Sequence, residues 1–336
     1  PKFDKIKKKL LYLKHVICFD EFNKKYNKLA ILNYEDLLIK YNNKEVKHYE
    51  KEVKVDKDDL ACIIYTSGTS ARPKGVMLTH GSIMENLNGA KRFVDDIETQ
   101  NHKFLSILPL SHAYEHTGGF LLPILIGGEI FFSNNRDQLL SDLQYAKPTL
   151  MVAVPRLYDI LYKRILTNIK SKGKITKLLF FKTLQIGEQK YKKENLSFAD
   201  KILDKFLELL IRKKIKKIFG GNLIAFISGG AALNFNSGIF FTSLGIKILQ
   251  GYGQTECSPI ISVNPIDKIK IHTVGVPIAN HFVKLSKSNE ILVKGPSVMK
   301  GYLKDKFFLK PVQAFLECQW HQKLVELSLL RPLRFV

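Results

Sequence analysis

Residues 61–80 read Ala-Cys-Ile-Ile-Tyr-Thr-Ser-Gly-Thr-Ser-Ala-Arg-Pro-Lys-Gly-Val-Met-Leu-Thr-His. The apolar run Ala61 to Ile64 is strand-like, a hydroxyl- and glycine-rich loop follows from Tyr65 to Gly75, and a second apolar run opens at Val76. Such a loop is suited to an anion. Gly68 and Gly75 let the backbone approach a ligand closely or adopt positive φ. Thr66, Ser67, Thr69 and Ser70 offer hydroxyls, successive backbone N–H groups form a concavity for phosphate, and Lys74 adds countercharge. The P-loop of nucleotide triphosphatases needs four residues between its glycines, then Lys and Ser or Thr; here the loop closes on Lys74-Gly75 with no hydroxyl after the lysine, so that motif fails. Composition alone favours a plain surface loop, and the order of the residues is what argues for more.

The rest of the composition bounds the classes. With 336 residues, 45% of them hydrophobic, the chain is globular and long enough for one large or two ordinary domains. Four scattered cysteines, Cys18, Cys62, Cys257 and Cys318, show no metal or Cys-x-x-Cys spacing, which points to a reducing compartment and away from zinc. No signal-peptide core and no membrane-spanning run is evident; the nearest, Phe120 to Phe132, contains Pro123, Gly127, Gly128 and Glu129 and reads as buried strand or helix. The formal charge of +22 would attract anions, but it is spread as lysine through the chain with no nucleic-acid module, so no nucleic-acid partner is expected. The opening proline leads to the expectation that sequence precedes it.

Outward from the loop, the N-terminal side carries structure and no chemistry. Leu10 to Phe19, with Val16-Ile17-Cys18-Phe19, reads as a strand, Asn33 to Tyr41 as a short helix capped by Asn33, and Lys40 to Lys57 as a solvated linker. On the other side, Gly81 to Phe93 has helical spacing (Ile83, Leu87, Ala90), capped by Thr79 or Ser82. Phe104 to Glu115 is a strand running into a turn with Pro109, His112 and Glu115. The pairs Gly118-Gly119 and Gly127-Gly128 read as tight turns. Val154-Pro155-Arg156 leads into a helix with Pro155 near its start.

Residues 161–219 then alternate helical apolar spacing with many lysines. Such a basic amphipathic stretch is a solvated helical face or lies on an anionic membrane. Gly220 to Leu233 is a strand ending in four small residues, Gly229 to Ala232. These suit a tight turn, or the close approach of a flat ligand or another backbone. Ile246 to Leu249 is a further strand, followed by Gln250-Gly251-Tyr252-Gly253-Gln254-Thr255-Glu256. There Tyr252 offers a flat face suited to adenine, and Glu256 a carboxylate suited to Mg²⁺.

Tyr-Thr-Ser-Gly-Thr-x-x-x-Pro-Lys-Gly-Val-x-Leu-Thr-His at 65–80 resembles the phosphate-binding signature of the adenylate-forming enzymes, the superfamily of acyl-CoA synthetases and peptide-synthetase adenylation domains. Pro-Leu-Ser-His-x-x-Glu at 109–115, the segments at 228–232 and 250–256, and the stretches at 274–277 and 290–302 extend the resemblance to Tyr302. One departure is Ser70-Ala71 where the family commonly has Thr-Gly; Ala71 takes positive φ less readily, so the loop is expected to be strained or shifted there.

The resemblance implies an α/β fold with mixed β-sheets layered with helices: a partial adenylation domain over residues 1–302, with the basic helical insertion at 161–219. It further implies activation of a fatty acid by ATP, through acyl-AMP, to acyl-CoA, and the insertion is most like long-chain fatty acyl-CoA synthetases. On matched positions, Thr66, Ser67, Gly68, Thr69 and Lys74 hold the β- and γ-phosphates, and Thr69 and Glu256 hold Mg²⁺. Gly230, Ala231, Gly251, Tyr252, Gly253 and Thr255 border the nucleotide, and His112 lines the acyl site. Lys74, His112 and Glu256 are the expected catalytic residues; ATP, Mg²⁺ and CoA the expected cofactors and co-substrate.

Residues 303–336 do not resemble the family, whose ribose-binding Thr-Gly-Asp turn and small C-terminal domain are not recognisable, so impaired turnover is expected. A cytoplasmic location is expected, peripheral on the inner face of a membrane. Two alternatives stand beside this reading: a non-enzymatic basic remnant associating with membrane or nucleic acid, and an acyl-AMP ligase that passes its acyl group to a carrier-protein thiol.

Overall fold

Apolar residues alternate between two faces along the central strands, and both faces are buried. In the strand Leu150–Ala153, Met151 and Ala153 join one hydrophobic cluster and Leu150 another; Leu105 and Phe104, Phe226 and Ala225, and Ile248 and Leu249 divide the same way. A strand apolar on both faces is the signature of a parallel sheet covered by helices on each side. The computed structural model describes residues 12–19, 30–41, 54–66, 73–97, 99, 101–133, 138–287, 290–303 and the strand at 316–318. Ser67, Gly68, Thr69, Ser70 and Ala71 lie outside the described residues, as does nearly all of 303–336.

The chain divides into two compact units, Pro1–Lys54 and Val55–Val336. In the first, strands β1 (His15–Cys18) and β2 (Ala30–Asn33) pair in parallel. Helix α1 (Tyr34–Tyr41) starts where the Asn33 side chain accepts the N–H of Glu35 at 2.8 Å, the expected cap.

The second unit begins with the hairpin of β3 (Leu60–Thr66) and β4 (Lys74–Thr79), then helix α2 (His80–Asp95). Thr79 caps α2 and Ser82 returns the bond to the Thr79 N–H, so the two expected caps act together as a capping box. β5 (Lys103–Ser106) leads to α3 (Ala113–Glu115), a π-helical segment (His116–Leu121) and α4 (Leu122–Leu125), then β6 (Glu129–Phe132), α5 (Leu139–Ala146) and β7 (Leu150–Ala153).

The insertion is helical as expected: α6 (Pro155–Lys170, Pro155 in its first turn), α7 (Lys174–Tyr191), α8 (Phe198–Leu207), a π-helical turn (Glu208–Arg212) and α9 (Lys213–Ile218). β8 (Ala225–Ser228), α10 (Phe235–Ser243), β9 (Lys247–Gly253), β10 (Ile260–Val263) and β11 (Val276–Pro277) complete a sheet of order β11-β10-β9-β8-β7-β5-β6. It is parallel from β6 to β9 and antiparallel from β9 to β11.

The insertion helices cover one face, where Tyr158, Phe219, Phe226 and Phe241 pack edge to face with ring centroids 5.3–6.3 Å apart. α2 and α4 cover the other, beside two smaller sheets. These are β14-β4-β3, in which β14 is Gly301–Tyr302, and β12 (Phe282–Leu285), β13 (Ile291–Lys294) and β15 (Leu316–Cys318).

One turn expectation is corrected. Gly127-Gly128 does turn, with φ +68° at Gly127, but Gly118-Gly119 lies inside the π-helical segment. Packing requires the small residues there: a Cβ on Gly119 would sit 2.5 Å from the Glu115 carboxylate oxygen, and one on Gly118 would sit 3.2 Å from Val152.

Candidate functional site

In an open parallel sheet the segments leaving the carboxyl ends of the strands are where a ligand has room. Here those segments are 107–112 after β5, 154–156 after β7, 229–232 after β8 and 254–258 after β9. Of the residues singled out in the sequence, His112, Gly230, Ala231, Thr255 and Glu256 lie on them, Gly251, Tyr252 and Gly253 on the end of β9, and Thr66 and Lys74 on the β3–β4 hairpin.

The hairpin register pairs Thr66 with Lys74, so these two residues face each other across its last described rung. β14 pairs with the other edge of β4, Tyr302 opposite Val76, which brings Tyr302 beside Lys74. The Lys74 ammonium lies over the Tyr302 ring, 4.9 Å from its centroid. From the same ring the hydroxyl donates to Glu256 Oε1 at 2.9 Å. Lys74 and Glu256, 182 positions apart in sequence (256 − 74), are thus joined through one tyrosine.

Glu256 sits in a 3₁₀ turn (Thr255–Cys257) that a buried polar network fixes. Asn86, fully buried on α2, donates to the carbonyls of Cys257 at 2.9 Å and Ile260 at 2.7 Å, and accepts the Ile260 N–H at 3.2 Å. Ser258, with φ +66°, donates to the Ser297 carbonyl at 2.8 Å, while its own carbonyl accepts the Thr117 hydroxyl at 3.1 Å. The Met299 N–H donates to the Glu256 carbonyl at 2.8 Å. Behind them His281 Nδ1 faces the Ala279 carbonyl, a pure acceptor, so Nδ1 carries the proton and Nε2 accepts from the Ser297 hydroxyl. Burial pushes the His281 pKa down, matching that neutral tautomer.

The remaining expected nucleotide contacts lie at the β8–β9 end. Ser228 pairs with Gln250, and β9 runs three residues further, so Tyr252 projects two positions past that pair while the chain of β8 turns away at Gly230, φ +80°. Tyr252 is half-buried, packed against the α2-side core, and Gly230 and Ala231 are exposed. Gln250 fixes this turn: its buried side chain accepts the Leu233 N–H at 2.7 Å and donates to the Thr273 carbonyl at 2.9 Å.

Two sets of small residues have neighbours that account for them. A Cβ on Gly229 would sit 2.9 Å from the Tyr114 ring, whose hydroxyl donates to the Ile227 carbonyl at 2.8 Å. Gly251 accommodates the Ser262 carbonyl of β10, and Gly253 the Pro259 carbonyl of the β9–β10 turn. Thr255 is half-buried in the turn with Glu256.

His112 is exposed at the start of α3, its carbonyl accepting the His116 N–H at 3.0 Å. The helix that follows it is pinned to β8 by Tyr114, and the π-helical segment beyond to the Glu256 turn by Thr117. Glu115, wholly buried, is bonded to Ser106 at 2.5 Å; burial pushes its pKa up to about 6 against the donated hydrogen bonds that oppose the rise.

One carboxylate joined to a lysine through a tyrosine suits a hard cation that shares phosphate oxygens. Among the described residues no three or more His, Cys, Asp or Glu cluster as a metal cage.

The model of the AMP-binding enzyme family matches residues 3–303. The chain belongs to that family. Its relatives include fatty acyl-CoA synthetase B of Dictyostelium discoideum, 29% identical over 89% of this chain and 46% of that protein. Another is long-chain-fatty-acid–CoA ligase 5 of Mus musculus, 31% identical over 87% of this chain and 44% of that protein. The chain therefore spans just under half the length of these relatives. Among solved structures, o-succinylbenzoate CoA synthetase of Bacillus subtilis in complex with the acyl-adenylate intermediate OSB-AMP superposes with a TM-score of 0.63. That match is 17% identical and covers 94% of this chain and 56% of that one. It shows the fold, and the expected α/β architecture of an AMP-binding domain is borne out.

Reading the sequence missed Tyr302, which marked only the end of the resemblance, and the network of Asn86, Thr117, Ser258, His281 and Ser297. Asn86 carried a signal. Ile83, Asn86, Leu87 and Ala90 form one helical stripe, and an amide on a buried stripe must bond something across the interface.

Proposed function

We propose that this chain forms the nucleotide- and acyl-binding part of an enzyme that activates long-chain fatty acids. A fatty carboxylate oxygen attacks the α-phosphorus of ATP, the bond to pyrophosphate breaks, and acyl-AMP forms. The thiol of CoA then attacks the acyl carbon, AMP leaves, and the thiol proton passes to solvent. The observation that carries this reading is the convergence of Lys74 and Glu256 on Tyr302 beneath the carboxyl ends of the parallel strands. A cation and a carboxylate held at one point, in a chain whose sequence after Thr66 is rich in hydroxyls, are what a metal-bound polyphosphate requires.

Each residue then has a role. Lys74, with Thr66, Ser67, Gly68 and Thr69 of the loop, neutralises the β- and γ-phosphates. Thr69 and Glu256 would hold Mg²⁺, which supplies further neutralisation of the leaving pyrophosphate. Gly230, Ala231 and Tyr252 border adenine, and Gly251, Gly253 and Thr255 shape the turn. His112 lines the approach of the carboxylate. Catalysis is orientation and charge stabilisation, with no covalent enzyme intermediate. The proposal puts the enzyme in the cytoplasm and peripheral to a membrane. Separately, no helix among the described residues is long and apolar enough to cross one.

The test is a thermal-shift titration of the full chain with MgATP, followed by pyrophosphate release with palmitate, with CoA or an acyl-carrier protein as acceptor. A ligand bound only by the folded state raises its stability by RT ln(1 + [L]/Kd). A rising midpoint that Lys74→Ala and Glu256→Ala each abolish is expected. No shift at millimolar nucleotide would overturn the reading.

A further inference from the structure

The outer face of the insertion helices exposes large apolar side chains beside lysines and turns its acids away. Along α8 and the π-helical turn after it, Phe198, Ile202, Phe206, Leu209 and Leu210 follow a spacing of three and four residues, which places them on one side of the helix. All five are exposed, from 46% at Ile202 and Leu210 to 79% at Phe198. A face this apolar is not explained by solvation.

Its charges complete the pattern. The acids of this stretch, Asp200, Asp204 and Glu208, are each taken up in ion pairs: Asp200 with Lys182 at 2.9 Å, Asp204 with Lys190 at 2.8 Å and Arg212 at 2.7 Å, Glu208 with Lys216 at 3.3 Å. Arg212, itself buried, also donates to the Ser243 carbonyl at 3.0 Å, tying the helix down on α10. Lys201, Lys205, Lys213 and Lys214 are exposed and form no ion pair among the described residues. The outward surface is therefore apolar and cationic, with its negative groups neutralised.

We propose that the outer face of α8 and α9 docks on the surface of an anionic lipid bilayer. Phe198, Ile202, Phe206, Leu209 and Leu210 enter the boundary between headgroups and acyl chains, the depth reached by helices lying in the interface plane. Lys201, Lys205, Lys213 and Lys214 sit at the level of the headgroup phosphates. Charge complementarity selects this occupant: the face offers cations with unpaired acids absent from it, which suits a phosphate-bearing surface. The inference rests on the peripheral placement proposed above and not on the ligase reading, and its assay uses no nucleotide, so the two fail separately.

The test is sedimentation of the full chain with sucrose-loaded vesicles of phosphatidylcholine alone, or of phosphatidylcholine with about one third phosphatidylserine. Binding to the anionic vesicles only, weakened by salt, is expected. Phe206→Glu should lower the partition at least about tenfold by placing a charge in the apolar band. Lys201→Gln and Lys205→Gln should each lower it about fivefold. All three residues are exposed, so melting temperatures should hold. Lys268→Gln, an 80% exposed lysine outside the insertion, separates this face from the general positive charge of the chain. Absence of vesicle binding overturns the proposal. So does binding that Phe206→Glu leaves unchanged, an equal loss in Lys268→Gln, or a lipid-independent dimer that Phe206→Glu dissociates.

Discussion

The Tyr302 hydroxyl donates to the Glu256 carboxylate at 2.9 Å, from a ring whose face carries the Lys74 ammonium. The bond ties one carboxylate oxygen to the ring over which Lys74 lies; in the proposed site the other oxygen would hold the cation. Tyr302→Phe keeps the ring under Lys74 and removes only the donor. A hydrogen bond to a charged group contributes about 1.5–3 kcal/mol, so the apparent MgATP dissociation constant should rise on the order of tenfold. A titration followed by thermal shift measures it. Tighter binding in Tyr302→Phe would show that the hydroxyl competes with the nucleotide's metal for Glu256.

Asn86 holds the Glu256 turn from the opposite side, through two donated bonds to the carbonyls of Cys257 and Ile260 and one accepted from the Ile260 N–H. Asn86→Ala leaves those groups buried without a partner and opens a cavity on α2. Unsatisfied buried groups cost about 1–3 kcal/mol each, though not additively, so a loss of about 3–5 kcal/mol is expected. Urea denaturation reads it, and a loss under about 1 kcal/mol would mean that water replaces the amide.

How much of this was legible in the sequence follows from the range of each signal. The capping box at Thr79 and Ser82, the Asn33 cap and the Pro155 helix start are local rules of backbone satisfaction and read correctly. The Lys74 loop and the Glu256 turn were found through ordered motifs, each within one strand-to-loop unit. Their meeting at Tyr302 was not legible, because it depends on β14 pairing with β4 across more than 220 residues, from Met77 to Gly301. Gly118-Gly119 misled for a similar reason: paired glycines signal a turn locally, but here a buried Glu115 carboxylate and Val152 take the space that their side chains would fill.

Gly253 separates a structural demand from a ligand demand. A Cβ there would run into the Pro259 carbonyl across the β9–β10 turn, and backbone cannot step aside as a flexible side chain can. Gly253→Ala should displace the Thr255–Cys257 turn, costing about 1–3 kcal/mol from overpacking and the MgATP-induced shift with it. Gly221→Ala is the control: its φ is +85° but nothing lies within 4 Å, so only the backbone penalty of about 1–2 kcal/mol applies and the nucleotide shift persists. Retention of the full MgATP shift in Gly253→Ala would place the turn outside the nucleotide site.

Two buried groups should make stability depend on pH in opposite senses. Glu115 has its pKa raised from 4.5 to about 6, chiefly by burial. The folded state therefore holds its proton more tightly, and the favourable contribution present below pH 4.5 is lost as pH rises through 6. A shift of this size corresponds to roughly 2 kcal/mol. His281 has its pKa lowered from 6.5, again chiefly by burial, so its contribution is present above pH 6.5 and is lost as pH falls through the folded value. Each is isolated by a difference. The stability of wild type minus that of Glu115→Gln should fall by roughly 2 kcal/mol from pH 4.5 to 7, whatever constant offset the amide brings. Wild type minus His281→Gln should fall in the other direction, from pH 7.5 towards 5. Urea unfolding across this range gives both differences. A Glu115 difference that rises with pH would mean that the folded protein keeps the carboxylate ionised, with the N–H groups of Ile107 and Leu108 outweighing its burial.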